Sequence, residues 1–329
     1  RRNKGANSQT IAIEDRMQWF QDAKFGMFIH FGVDRKSEFN PIEFDAGQWV
    51  RIAKDAGMKY IVLTTKHHVG FCLWDSELTD WNVVDQTPFG RDIVKEMAAA
   101  CEAEGLEMGC YYSIADYHHP LYEPKYQNRP ERRRGTVPGA DITKYIDFMF
   151  GQLEELCVLY EPCLIWFDGG SGFSNPAYKP LLRRKELVDM LHSYGTISNS
   201  RLGDDDALKI VDYLSMNDNM APSINLGVHF ESAVTMGRSW HCRANDTLKT
   251  PQVLLEQLIN TAGNGGNYLL NNGPMGNGRL DREAVRLYGV IGDWLKVNGE
   301  SIYAVRRNPL PTRPQWGDIS VSKDGKTLY

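Results

Sequence analysis

The chain has 329 residues, with 37 Lys and Arg against 42 Asp and Glu, and so carries a net charge of −5. That balance excludes a nucleic-acid binder driven by bulk positive charge, because such affinity comes from neutralised phosphates. Hydrophobic residues at 42% and charged residues at 24% are the mix of a packed globular protein. No apolar run approaches the ~20 residues that cross a bilayer. The opening RRNKGANSQT is polar and holds no apolar h-region, so a leader is either absent or already removed. Six cysteines (Cys72, Cys101, Cys110, Cys157, Cys163 and Cys242) are too few for a disulfide scaffold, and no pair has the CxxC spacing of structural zinc. Most fall in apolar periodic segments and read as buried thiols.

Strand-length apolar runs alternate with helical periods from about residue 25 to residue 300. FGMFIHFGV (25–33) is the first strand. The helix DAGQWVRIAKDAG follows, with Asp45 to cap its start and Gly57 to end it. YIVLTTKHH (60–68) is apolar almost throughout, as a strand buried on both faces requires. Then come the helix 91–105, the strand EMGCYYSIA, a polar loop with the run ERRRG, a helix over 141–160 and the strand CLIWFDGG (163–170). A helix over 177–194, short strands at 196–201 and 210–218, the helix PQVLLEQLINTAG, the strand NYLLNNGP (267–274) and a helix across 281–298 complete the series.

Seven or eight repeated β-then-α units mean parallel strands with helices outside, and their span predicts a (β/α)8 TIM-like barrel over residues 1–303. A doubly wound open sheet is the alternative, but HFGVDRK offers no G-x-G-x-x-G after the first strand. From Ala304 the pattern changes to proline-rich and alternating sequence with a Lys-Asp-Gly turn. Residues 304–329 therefore read as the beginning of a C-terminal β domain, cut short at Tyr329. The glycine-rich GNGGN (263–267) reads as a helix-to-strand turn, and ERRRG as a solvated loop face.

Chemistry in such a barrel sits at the C-terminal ends of the strands. Reading each strand to its end gives His30; Lys66, His67 and His68; Tyr111, Tyr112 and Ser113; Trp166 and Asp168; Asn199 and Arg201; Asn217 and Asp218; Asn271 and Asn272. Each has an ordinary rim explanation alone, but jointly they predict a site. One reading is a metallohydrolase. Against it, His30 stands alone as His-Phe-Gly, and adjacent His67 and His68 point to opposite faces of a strand unless it bulges. A second reading is carbohydrate processing, because sugars need polar donors and acceptors together with aromatic platforms, and Trp74, Tyr111, Trp166 and Trp240 supply the latter. Glycoside hydrolysis needs two carboxyl groups. Asp168 ends the most apolar strand, and Asp218, Glu231 and Glu38 are candidate partners. A third reading is a barrel that binds sugar without cleaving it.

The segments DAKFGMFIHFG, DAGQWVRIAKDAGMKYIVLTTKHHVGF, MGCYYS, LIWFDGG, HFESAVTM and GGNYLLNNGP, in this order over residues 17–303, resemble the family-29 glycoside hydrolases, the retaining α-L-fucosidases. The resemblance implies a barrel that removes terminal α-linked L-fucose from a fucosylated oligosaccharide or glycoconjugate by double displacement, without metal or organic cofactor. It also implies a β-sandwich behind the barrel and work outside the cytoplasm, in a periplasmic, secreted or lysosomal setting. By position Asp168 resembles the nucleophile and Glu231 the acid/base. His30, His67, His68, Tyr111, Trp166 and Arg201 resemble residues that hold the fucose, and Trp240 lines the apolar side facing its methyl group. The chain departs from the family pattern at Val69, where His-His-Asp-Gly-Phe is usual, at Phe230, where Trp is common before the Glu, and at Glu38-Phe39, where a Glu-Trp pair is expected. Those departures leave a related sugar such as L-galactose as the alternative substrate.

Overall fold

The computed structural model describes residues 11–32, 36–122, 141–174, 177–203, 207–222, 226–310 and 313–329; the ERRRG run lies outside them. Eight parallel strands curl into one sheet: β1 (Phe25–Ile29), β2 (Tyr60–Lys66), β3 (Glu107–Ser113), β4 (Leu164–Asp168), β5 (Ile197–Ser198), β6 (Leu214–Ser215), β7 (Phe230–Thr235) and β8 (Asn267–Asn272). Their spatial order is β5-β4-β3-β2-β1-β8-β7-β6. The ends of that sheet meet through the Asn199–Tyr213 bridge and the hydrogen bond from Asp212 N to Ser198 O, which close it as a (β/α)8 barrel. β5 and β6 are much shorter than the runs 196–201 and 210–218 suggest, because side chains take over the pairing there. Asn199 bonds both the N–H and the C=O of Phe167, and the Asp212 carboxylate accepts from Ser198 N.

The helices are α1 (Ile13–Ala23), α2 (Ala46–Asp55), α3 (Val83–Gln86), α4 (Ile93–Glu104), α5 (Ile142–Tyr160), α6 (Arg184–Ser193), α7 (Pro251–Gly263) and α8 (Arg282–Asn298). Capping fixes where most of them begin. Asp45, Asp92, Asp141, Thr250 and Asp281 each accept a backbone N–H of the first turn. The helical period over 177–194 resolves into a 3-10 turn at Lys179–Leu182 followed by α6. None of the described helices is long and apolar enough to cross a membrane.

Burial separates two layers. Outward strand residues such as Met27, Leu63, Phe167 and Val234 pack against the helices, whereas Phe28, Tyr60, Val62, Tyr111, Trp166, Ala233 and Leu269 fill the barrel. The helix α1, absent from the expected series, closes the barrel floor. Its Phe20 is fully buried against Tyr60 and Tyr213. The strand β7 is also absent from that series. FESAVT carries Glu231 and Ser232 within it, so no apolar run marks it. Five cysteines are buried free thiols and Cys242 is an exposed one. Beyond Val305, bridges join Arg306 to Val321 and Val321 to Leu328 around a turn with Gly325 at φ +74°, and Asp22 pairs with both Arg306 and Lys323.

Helix α8 lies so close to the end of α2 that a Cβ at Gly292 would collide with the Asp55 carbonyl. Gly292→Ala is expected to cost about 1–3 kcal/mol through forced separation of the two helices. Denaturant unfolding measures it, and an unchanged midpoint would show that the helices yield freely.

Candidate active site

The barrel mouth gathers side chains from most of the strand ends. His30 continues the inward row of β1 after Phe28 and is almost wholly buried. Its Nδ1 lies 2.6 Å from Asn271 Oδ1 of β8, and the Asn271 amide donates to the Trp240 carbonyl at 2.8 Å. The Trp240 ring sits 5.0 Å from the imidazole of His30. His67 and His68 follow Lys66, past the last paired residue of β2 and after a register shift between Thr64 and Lys66. Strand alternation no longer binds them there, and both reach the site. His67 stacks on Tyr111 at 5.3 Å, and His68 meets Ser113 Oγ through Nδ1 at 2.6 Å. Burial, and then the neighbouring His68 and His241, push the His67 pKa down to about 3; burial with His67 and His241 likewise holds His30 well below its ordinary value. Both are neutral rings able to donate and accept at once.

Asp168 is the last residue of β4, with 28% of its side chain exposed. Tyr111 Oη donates to Oδ2 at 2.9 Å, His68 Nε2 lies 3.6 Å from the same oxygen, and Arg201 Nη1 approaches Oδ1 at 3.5 Å. Burial pushes this carboxyl upward. The charges of His68 and Arg201, the Gly169 N–H and the Tyr111 hydroxyl outweigh it, and the net pKa is below the usual value. Asp168 is therefore an ionised, oriented carboxylate at the mouth.

Arg201 binds more than one partner. Nε donates to Ser215 Oγ at 2.9 Å, and Nη2 to the Met216 carbonyl at 2.8 Å and to Asp218 Oδ1 at 2.7 Å. Its guanidinium lies 4.5 Å from the Trp166 ring centre. Asp218, with 53% of its side chain exposed, and Asp168 thus share one guanidinium.

Glu231 is elsewhere. It occupies the first inward position of β7, four residues and roughly 13 Å along the strand before Thr235. It has no exposed surface. Tyr60 Oη donates to its Oε2 at 2.6 Å and Trp166 Nε1 to its Oε1 at 2.7 Å. Burial raises its pKa to about 7 against those two hydrogen bonds and the Arg201 charge. It lies beneath Trp166, inside the barrel, and not on the Asp168 rim. Glu38 is exposed in the 3-10 turn Lys36–Glu38.

The structure thus brings together His30, His67, His68, Tyr111, Trp166, Asp168, Arg201 and Trp240. Trp74 is not among them, contrary to its reading as a sugar platform. It is fully buried in the outer layer with its indole N–H on Glu155 Oε2 at 2.8 Å. Lys66 and Tyr112, also at strand ends, face outward, where Lys66 pairs with buried Asp116 at 3.2 Å. His241 joins the site unannounced, its ring 5.7 Å from His30 and 5.6 Å from His67. Only its place beside Trp240 hinted at that. Among the described residues, no three His, Cys, Asp or Glu converge as metal ligands.

A family model described as alpha-L-fucosidase matches residues 33–300. The plasma alpha-L-fucosidase of Homo sapiens is 31% identical, the match covering 87% of this chain and 68% of that one. Among solved structures, alpha-L-fucosidase isoenzyme 1 from Paenibacillus thiaminolyticus superposes with a TM-score of 0.84 at 33% identity, over 95% of this chain and 82% of that one. A family-29 alpha-L-fucosidase from Bacteroides thetaiotaomicron, trapped as a covalent intermediate with 2-fluoro-fucosyl fluoride, gives 0.81 at 26% identity over 98% and 83%.

The depressed His67 pKa has a stability consequence. As pH falls below the ordinary histidine value of 6.5 towards about 3, the unfolded chain takes up a proton that folded His67 refuses, so stability is lost through that window. His67→Asn removes this linked loss. Its stability deficit against the parent, measured by denaturant unfolding, should narrow from pH 7 to pH 4.5; a constant deficit would contradict the neutral buried ring.

Proposed function

Because the chain belongs to the alpha-L-fucosidase family, we propose that it hydrolyses terminal α-linked L-fucose from glycans by a retaining double displacement. The observation that carries this reading is Asp168, ionised and oriented by Tyr111, His68 and Arg201, with the neutral rings of His30 and His67 and the indoles beside it. The Asp168 carboxylate attacks the anomeric carbon while an acid protonates the leaving oxygen. Water, relieved of its proton by the same group, then releases the sugar with its configuration retained. In this proposal His30, His67, His68 and Arg201 hold hydroxyls, and Tyr111, Trp166 and Trp240 confine the ring and its methyl group.

For the proton we favour Asp218 over Glu231. A retaining pair stands about 5–5.5 Å apart, and Asp168 and Asp218 share the Arg201 guanidinium, at 3.5 Å and 2.7 Å. Asp218 is half exposed beside the mouth, where an entering glycan would meet it. Glu231 has no exposed surface and both oxygens engaged.

We extend the reading to the setting as well. A human relative is named as a plasma enzyme, which supports work outside the cytoplasm, in a secreted, periplasmic or lysosomal compartment. Residues 304–329, with their turn and antiparallel bridges behind the barrel of residues 1–303, support the start of a β domain.

Three measurements test this. An aryl α-L-fucoside should be cleaved with retention, read by proton NMR of the first-formed sugar; inversion would end the proposal. Asp168→Ala should lose at least ~10³ in kcat, the scale of a removed covalent step, and unaffected turnover would contradict the role. Asp218→Asn should lose ~10²–10⁴ on poor leaving groups, little on activated ones, and recover with azide; uniform, unrescued rates would return the acid to another carboxyl group.

A further inference from the structure

We propose that Glu231 is a positioning residue that governs the reactivity of Asp168 from inside the barrel, by clamping the Trp166 indole against which both Arg201 and Tyr111 rest. The inference depends on Asp168 being the attacking carboxylate, and it explains why the fold tolerates a carboxyl group in its interior.

A buried carboxyl group costs stability unless its oxygens are satisfied. Among the described residues two donors satisfy it, Tyr60 Oη at 2.6 Å and Trp166 Nε1 at 2.7 Å, and the Asn267 amide steadies the Tyr60 oxygen at 3.4 Å. The indole so held is a plate between two neighbours. Tyr111, its register partner on β3, stacks against it at 5.5 Å with 16° between planes. Arg201, from the end of β5, lies over the ring at 4.5 Å. Phe28 packs on the same indole at 5.0 Å.

Those two neighbours are the groups that bind Asp168, Tyr111 Oη at 2.9 Å and Arg201 Nη1 at 3.5 Å, one on each oxygen. The torsion that turns an indole about its Cβ–Cγ bond is intrinsically broad, so a fixed plane needs an anchor at the far end of the ring. The Nε1–H bond to Glu231 is that anchor. Without it the plate is free to turn, and the hydroxyl and the guanidinium lose their common reference. Glu231 touches no substrate in this account. Its effect reaches Asp168 through one hydrogen bond and two ring faces.

The test uses Glu231→Gln, Glu231→Ala and Trp166→Phe in the full chain, each checked by circular dichroism and thermal unfolding. The Gln carbonyl still accepts the indole N–H, so Glu231→Gln should keep kcat/KM within ~3-fold on an aryl α-L-fucoside. Glu231→Ala and Trp166→Phe should each lose ~10–10² in kcat, the scale of a misplaced reacting group. Both should also raise the acid limb of kcat/KM by about one pH unit, because Asp168 then meets weaker attraction. The groups facing Asp168 are His68 and His67 after β2, Tyr111 on β3, the Gly169 N–H, Arg201 after β5 and, beyond it, Asp218; none of these is substituted in any variant. The double variant Glu231→Ala with Trp166→Phe should be no worse than either single one.

Two outcomes overturn the proposal. If Glu231→Gln is as crippled as Glu231→Ala and azide restores both, Glu231 is the proton donor. If Glu231→Ala and Trp166→Phe leave the acid limb in place, the clamp is a packing feature alone. Should Glu231→Ala fail to fold, Glu231→Gln and Trp166→Phe decide the matter. Full turnover by Asp168→Ala would instead remove the nucleophile reading, whatever the Glu231 variants do.

Discussion

A negative charge held at the end of an apolar strand is the constraint around which this barrel mouth is arranged. Leu164, Ile165, Trp166 and Phe167 are buried, and the strand they form delivers Asp168 to the rim with little water to stabilise it. Burial alone favours the neutral acid. The charge survives because groups from β2, β3 and β5 converge on it: His68, Tyr111 and Arg201. No single element supplies them, so the closed barrel with its register is what makes the carboxylate available. This is why the weak seam between β5 and β6 matters. Arg201 spans it, bonding Ser215 and the Met216 carbonyl on the far side while reaching Asp168 on the near side.

The surrounding groups are polar without adding much charge. His30 and His67 are kept neutral by burial and by the neighbouring histidines, so they present paired donor and acceptor nitrogens to a ligand rather than cations to compete with Arg201. Trp240 and Trp166 add apolar faces. Such a mixture matches a small sugar with several hydroxyls and a methyl group better than it matches a phosphate or a metal. Val69, which stands where a carboxylate is usual in the family pattern, is half exposed and offers only its carbonyl, to the Trp81 indole.

Much of this was legible in the amino-acid order. Long apolar strands announced themselves, and because strand ends form the mouth, reading each run to its last residues found His30, His67, His68, Tyr111, Asp168 and Arg201 together. Helix starts were legible wherever an Asp or Thr preceded an apolar period, as at Asp45 and Thr250. The rest was hidden for definite reasons. β7 hides because its inward positions hold Glu231, Ala233 and Thr235, which break the apolar run that marks a buried strand. Once that strand is unrecognised, the depth of Glu231 beneath Trp166 cannot be counted from the amino-acid order. Trp74 misled in the opposite way: aromatic and near His67 in sequence, it faces the helical layer. The floor helix α1 has a modest apolar stripe, and its purpose is visible only when Phe20 meets the rings below β2.

Double displacement requires a covalent bond between the sugar and Asp168. Incubation with 2-fluoro-fucosyl fluoride, followed by proteolysis and mass spectrometry, should place a fluorofucosyl group on the peptide containing Trp166-Phe167-Asp168, on the Asp168 side chain. A label on any other carboxylate, or turnover of this probe without any trapped adduct, would contradict it.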